Sequence, residues 1–238
     1  MSARKLSIAG VIDRFPDFRV AVVTVDWPGG PATRSDAAAQ EIAAREAACR
    51  ARWAGVELSA IPGVAAWRTA YRGFGVKKTS YRSSVERLVK RVIAGEGLPV
   101  IHPLVDLYNA VSLTHVLCVG ADDLDRVAGD LAFRFALPGD SFVDMAAAEG
   151  DDPNDPPKQG EVVYACDGHV LCRRWNWRQD ARSVVGPASR RVIVTLQSHG
   201  EGSVEAAAED LVGWAERELR ATCRVAAAER GRETVAIG

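Results

Sequence analysis

One domain of mixed α and β elements, without alternating βαβ units, is the architecture that these 238 residues predict. Three observations carry that expectation. Residues 18–26 (FRVAVVTVD) are almost continuously apolar and rich in β-branched side chains, the pattern of a buried strand. Two stretches, opening at Ser35 and Ser83, join helix-starting caps to apolar residues at helical spacing. A run from Glu161 to Cys172 is broken by Asp167-Gly168, a strong short signal for a hairpin turn.

Taken in order, the first strand ends at Trp27-Pro28-Gly29-Gly30-Pro31, which breaks regular structure. Ser35 caps a helix reaching about Trp53, with Ile42, Cys49 and Trp53 on one face and Gly55 as its stop. Residues 64–82 mix glycines, aromatics and bases without clean periodicity and read as strand and loop. Ser83 and Glu86 form a capping box, in which each side chain satisfies the other's backbone donor. Val85, Leu88, Val89 and Val92 make that helix's apolar stripe, and Gly95 ends it. A further helix covers 104–117, after Pro99 and Pro103. The stretch 149–160 (EGDDPNDPPKQG) is an exposed loop. A two-residue turn at Asp167-Gly168 pairs 166 with 169 and 163 with 172, so Cys166 and Cys172 do not face each other. Residues 191–197 form a strand, and 203–224 a last amphipathic helix with Val204, Leu211, Val212, Ala215 and Leu219 inward.

An apolar fraction of 47% and six tryptophans make a sizeable core feasible. The chain has no apolar run of the roughly 18 residues that a membrane helix needs, and no leader pattern follows Met1, so a soluble, cytoplasmic protein is expected. Five cysteines without CxxC spacing and four scattered histidines suggest neither a disulfide framework nor a metal site, and no cofactor is expected. P-loop, GxSxG and HExxH motifs are absent from the sequence. Charge is segregated although its sum is −1. Eight Lys/Arg face one acid between 68 and 91, and six arginines face Asp180 between 173 and 191. Eleven acids face three bases between 120 and 161. The distribution predicts a molecule with a basic side, or simply solvated charged faces.

The segment Arg173-Arg174-Trp175-Asn176-Trp177-Arg178-Gln179 places two indoles among three guanidiniums. Flat rings interleaved with planar cations suit stacking on bases and pairing with phosphates. They equally suit a cation–π ladder closing a strand end. Asp106 and Asn109 are one helical turn apart and can face one direction, or Asp106 can serve its helix start. Tyr71, Lys77 and Tyr81 surround Gly73 and Gly75, where bare backbone can approach a ligand; a twisted strand is the alternative. Glu161 opens the hairpin beside the acidic loop, reaching either into a cleft or into solvent.

Together, YRGFGVK (71–77), SVERL (84–88), VDLYNAVSL (105–113), GEVVY (160–164) and the Arg/Trp heptapeptide resemble the freestanding B3/B4-domain proteins. These are relatives of the tRNA-editing module of the bacterial phenylalanyl-tRNA synthetase β subunit. The resemblance spans about 64–200, with an N-terminal strand and helix and a C-terminal helix packed on that core. It implies an α+β fold whose sheets and helices surround a pocket, and a metal-free aminoacyl-tRNA deacylase acting in trans on the acceptor end of tRNA. Asp106, Asn109 and Glu161 would then be catalytic. Tyr71, Lys77, Tyr81, Gly120, Arg173, Arg174, Trp175, Asn176 and Arg178 would bind substrate or RNA. Departures from the pattern are specific: the family's pocket histidine falls at Gly120, its small glycine-rich wall at 171–176, and a strand glutamate near Gln197. A noncatalytic module binding RNA, an amino acid or another small molecule is the alternative.

Overall fold

The computed structural model describes residues 4–29, 33–77 and 80–237. The apolar run 18–26 forms strand β2 (Phe18–Asp26), and every side chain from Val20 to Val25 is buried. Burial on both faces explains why its sequence is continuous and not alternating. It lies antiparallel between β8 (Arg191–His199) and β9 (Thr222–Ala228), and β3 (Cys118–Asp123) takes the outer edge of β8. A second sheet runs in the order β10 (Thr234–Ile237), β1 (Arg4–Ser7), β4 (Leu131–Phe135), β5 (Val162–Cys166), β6 (His169–Arg173) and β7 (Arg178–Gln179). Its β1–β4 pair is parallel and its other pairs are antiparallel. The mixed architecture is therefore α+β.

Among the helices, α2 (Asp36–Arg52) starts as expected, with the Ser35 hydroxyl accepting from the Ala38 N–H at 3.0 Å. Helix α4 (Ser84–Ile93) is capped by Ser83, but only half of the expected box exists. The Glu86 carboxylate turns instead to Arg68 and Arg82, two guanidiniums that outcompete a single backbone N–H. Helix α5 (Pro103–His115) is buried along its whole length from Pro103 to Leu113, which places it at the centre of the molecule. It stops at Val116, which adopts a left-handed conformation (φ 55°) and leads directly into β3.

Three expectations need correction. Residues 64–73 are helix and not strand: α3 (Pro62–Gly73) begins at Pro62, whose fixed φ suits a first helical turn. Val64, Trp67, Ala70 and Tyr71 then form its buried stripe, a helical period hidden by the interspersed arginines and the glycines at its end. The last helix, α6 (Val204–Leu219), ends five residues early because Arg220 turns left-handed (φ 53°). Residues 222–224, expected at the end of that helix, instead open β9, a half-exposed edge strand. In the β5–β6 hairpin, Cys166 pairs with His169 as expected, but a bulge at Tyr164/Ala165 shifts the partner of Cys172 to Tyr164. All five cysteines are free.

Candidate functional site

Helix α4, the segment after it, α5, β3, β8 and the 172–179 turn enclose a cavity of about 680 Å³. That volume lies within the range of small-ligand sites, about 300–1,000 Å³. The strand register builds its floor. Gly120 lies opposite Thr195, Cys118 opposite Gln197 and Asp122 opposite Ile193. Directly paired residues share a sheet face, so Gly120, Asp122, Thr195 and Gln197 all present to the same side, and all four line the cavity. From α5 come Val105, Tyr108 and Asn109, an i, i+3, i+4 stripe.

Part of this floor is a closed hydrogen-bond chain. The Tyr71 hydroxyl donates to Asn176 Oδ1 (2.9 Å), and Asn176 Nδ2 donates to Gln197 Oε1 (3.3 Å). Gln197 Nε2 then donates to Thr195 Oγ1 (2.9 Å). Each amide is held in one orientation by its neighbours, which makes the floor rigid. Other groups are uncommitted. Neither the Asn109 amide nor the Tyr108 hydroxyl has a hydrogen bond among the described residues, and the Tyr164 hydroxyl is buried without a partner there.

Asp122 is the ionisable group on this floor. Its Oδ1 accepts from Ser183 Oγ (2.6 Å) and Gln179 Nε2 (3.2 Å), whereas Oδ2 takes no hydrogen bond among the described residues. Burial pushes its carboxyl up to about 7, against the lowering effect of those two donors. Such a group exchanges a proton readily at neutral pH. Cys172, also in the wall, is no nucleophile there, because burial raises its thiol well above the ordinary range.

The heptapeptide forms one wall and is not an exposed stacking platform. Arg174 and Trp175 both take left-handed backbone (φ 44° and 70°), a costly pair of conformations for residues with side chains. That turn sends Trp175, fully buried, into a nest formed by the rings of Phe15, Phe18, Trp67 and His199. Trp177 remains half-buried under two guanidiniums, with Arg174 4.5 Å and Arg178 4.8 Å from its ring centroid and the Tyr81 ring edge-on at 4.9 Å. The cation–π ladder at a strand end is thus the arrangement adopted.

Of the residues singled out from sequence, the cavity gathers Asn109, Gly120, Trp175, Asn176 and Arg178. Asp106 falls off the α5 stripe: its Oδ1 accepts from the N–H groups of Ile101 (2.9 Å) and His102 (3.4 Å), tying down its own helix start. Glu161 is buried under Arg173 (3.1 and 2.9 Å) and Arg174 (2.9 Å), a fully occupied carboxylate outside the cavity. Arg173 is itself completely buried and also binds Asp155 of the acidic loop. Tyr71 sits behind Asn176, and Tyr81 lies beneath Arg174 (4.0 Å) away from the cavity. Lys77 is exposed and does not line it, and Lys78 of the same basic segment lies outside the described residues. Arg82, Arg87, Lys90, Arg91 and Arg178 line the cavity together with the acids Glu96 and Asp122, and Arg87, Lys90 and Arg91 come from α4.

Sequence reasoning missed Asp122, Tyr108, Tyr164 and Thr195 as site residues, and marked Gln197 only as the position near a family glutamate. Asp122 had been counted only as part of an acidic stretch. Its available signal was position, as the first acid closing the apolar run 116–121.

No curated protein matches the chain. Among solved structures, it is similar to an N-terminal fragment of the phenylalanyl-tRNA synthetase β subunit from Pyrococcus horikoshii, with 15% identity and a TM-score of 0.40. The match covers 51% of this chain and 41% of that fragment. The B3/4 domain family model, however, matches residues 66–228, a span that holds most of α3, all of α4 and α5 and every residue lining the cavity, and the chain belongs to the B3/4 domain family.

Proposed function

We propose that the protein is an aminoacyl-tRNA deacylase acting in trans, with the aminoacyl group seated in the cavity and the acceptor end of the RNA lying across its basic mouth. The observation that carries this reading is that one cavity of about 680 Å³ is lined both by polar groups with open valence, the Asn109 amide and Asp122 Oδ2, and by five cations, of which Arg87 and Lys90 have no carboxylate partner among the described residues. The family resemblance read from the sequence supplies the substrate class.

An aminoacyl ester is already activated, so hydrolysis needs a placed water, a base and a donor for the oxyanion. In this reading Asp122 Oδ2 accepts a proton as water attacks the ester carbonyl. The Asn109 amide donates to the tetrahedral oxyanion. Collapse expels the ribose oxygen, which takes up a proton, and free amino acid and uncharged tRNA leave. Ser183 and Gln179 hold the other carboxylate oxygen and thereby aim Oδ2. Arg87, Lys90 and Arg91 attract the phosphates without reading sequence.

Release of amino acid from a panel of mischarged tRNAs tests the proposal. At least one member is expected to turn over, and Asp122→Asn is expected to slow it by about 10²-fold. Binding of tRNA with no release from any member would replace the deacylase with a binding module.

A further inference from the structure

We propose that Gly120 is the position that sets the size of the group admitted by the cavity, and that this group is a large one lying directly over the Gly120 backbone. The inference rests on the aminoacyl ligand class proposed above, and not on whether the cavity hydrolyses that group.

Glycine inside a strand is unfavourable, because it adds backbone entropy to the unfolded chain and contributes no side chain to packing. It persists where the backbone requires it or where something approaches closely. Neither backbone reason applies at 120. The residue is in ordinary extended β3 and is not among the glycines with positive φ. A methyl group built there would meet its nearest neighbour, Thr195 Oγ1, at 4.0 Å, an ordinary contact. Gly63 is the counterexample: a methyl there would lie 2.1 Å from the Val116 carbonyl oxygen, so the fold itself demands that glycine.

What occupies the space above Gly120 is the cavity. The register places it between Cys118 and Asp122 on the same face of β3 and beside Thr195 across it, with Gln197 opposite Cys118. Those neighbours are fixed by the hydrogen-bond chain and by Ser183, so none can swing over to fill the gap. A ligand group resting there contacts bare backbone, flanked by a hydroxyl, two amides and a carboxyl. Side chains at 120 project into the same volume and compete with it. The series Gly, Ala, Val, Leu should therefore shorten the admitted group stepwise.

The test uses amide-linked 3′-aminoacylamino-3′-deoxyadenosines, which present the acceptor nucleoside and side chain but cannot be hydrolysed as esters. Binding of phenylalanyl, tyrosyl, leucyl and alanyl probes is measured by calorimetry for wild type, Gly120→Ala, Gly120→Val and Gly120→Leu. Wild type is expected to prefer the large side chains. Each enlargement at 120 should weaken those probes by about tenfold or more, the scale of one misfitting methylene in a pocket, and affect the alanyl probe least. Circular dichroism and melting temperature report folding. Gly120→Ala is the safeguard, since its methyl fits without displacement.

Gly120→Leu with an unchanged binding profile and an intact fold would overturn the inference. So would a wild type that binds none of the probes, or one that binds the alanyl probe as tightly as the large ones. A wild type that binds large probes but releases nothing from mischarged tRNA removes the deacylase and leaves the size selection standing.

Discussion

Two buried polar clusters lie on either side of the 173–177 turn, and they differ in what they leave undone. On the hairpin side, Glu161 accepts two hydrogen bonds from Arg173 and forms an ion pair with Arg174, and Arg173 also engages Asp155. Every charge there has a partner. On the β3–β8 side, the amides of Asn176 and Gln197 are internally paired, but Asn109, Tyr108 and one oxygen of Asp122 have no partner among the described residues. The first cluster has the higher charge density and the second has the uncommitted valence. Buried polar groups are ordinarily satisfied by the protein itself, so incompleteness next to a cavity is the better indicator of a ligand than charge alone.

The sharpest way to break this contrast is Glu161→Gln. If the hairpin cluster is structural, the change leaves two buried guanidiniums without their carboxylate and should cost about 3–5 kcal/mol. Denaturant unfolding measures that loss. A variant of wild-type stability with impaired deacylation would instead return Glu161 to the reaction.

That outcome bears on how much of the molecule was legible in its sequence. Strand β2 and helix α2 were readable to within a residue because a continuous apolar run and a capping serine are local facts. Helix α3 was not, since its stripe of Val64, Trp67, Ala70 and Tyr71 is interrupted by Arg68 and Thr69 and runs into Arg72, Gly73 and Gly75. Strand β9 was unreadable for a different reason: as a half-exposed edge it has little burial pattern of its own, and only β2 determines its state. At the site, Asn109 and Gly120 were nameable from motif positions. Asp122 was not, because its significance depends on the β3–β8 register and on Ser183, 61 residues away. Arg173 and Trp175 misled in the opposite sense. Their side chains suggest a surface, but two left-handed residues turn them inward, and a backbone conformation so unusual for Arg and Trp has no sequence signature.

Asp122 gives the comparison a pH axis. Its folded value, about 7, lies above its ordinary 3.8, so the native state binds a proton more readily than the unfolded chain. The stability linked to it is fully present below 3.8 and is lost as pH rises through 7. His199 acts in the other direction: burial lowers its imidazole from 6.5 to about 3, so stability is lost as pH falls from 6.5 toward 3. Asp122→Asn should leave only the acid-side loss, and its stability relative to wild type should improve between pH 5 and pH 8. Chemical denaturation at those two values measures the difference. Equal wild-type and variant stability at both would mean that Asp122 is not desolvated, and its place as the uncommitted acid of the floor would fall. In the deacylase reading, wild-type turnover should also rise with an apparent midpoint near 7.

The smallest expected effect separates the rim from the ladder. Lys90 is exposed at the mouth and forms no ion pair among the described residues, whereas Arg173 is completely buried under carboxylates. If RNA phosphates cross the mouth, Lys90→Ala removes one contact and lowers the slope of log binding against log salt by about 0.7–0.9, the value for one released counterion. Stability should not change, because the side chain packs against nothing it would leave unsatisfied. Arg173→Lys should do the reverse, weakening the fold through the lost bidentate pairing with Glu161 while leaving the salt slope of the folded protein unaltered. Filter binding of tRNA from 50 to 200 mM salt resolves the two. A slope that responds to position 173 and not to position 90 would move the RNA path from α4 to the acidic loop, since only displacement of Asp155 could expose that guanidinium to a phosphate.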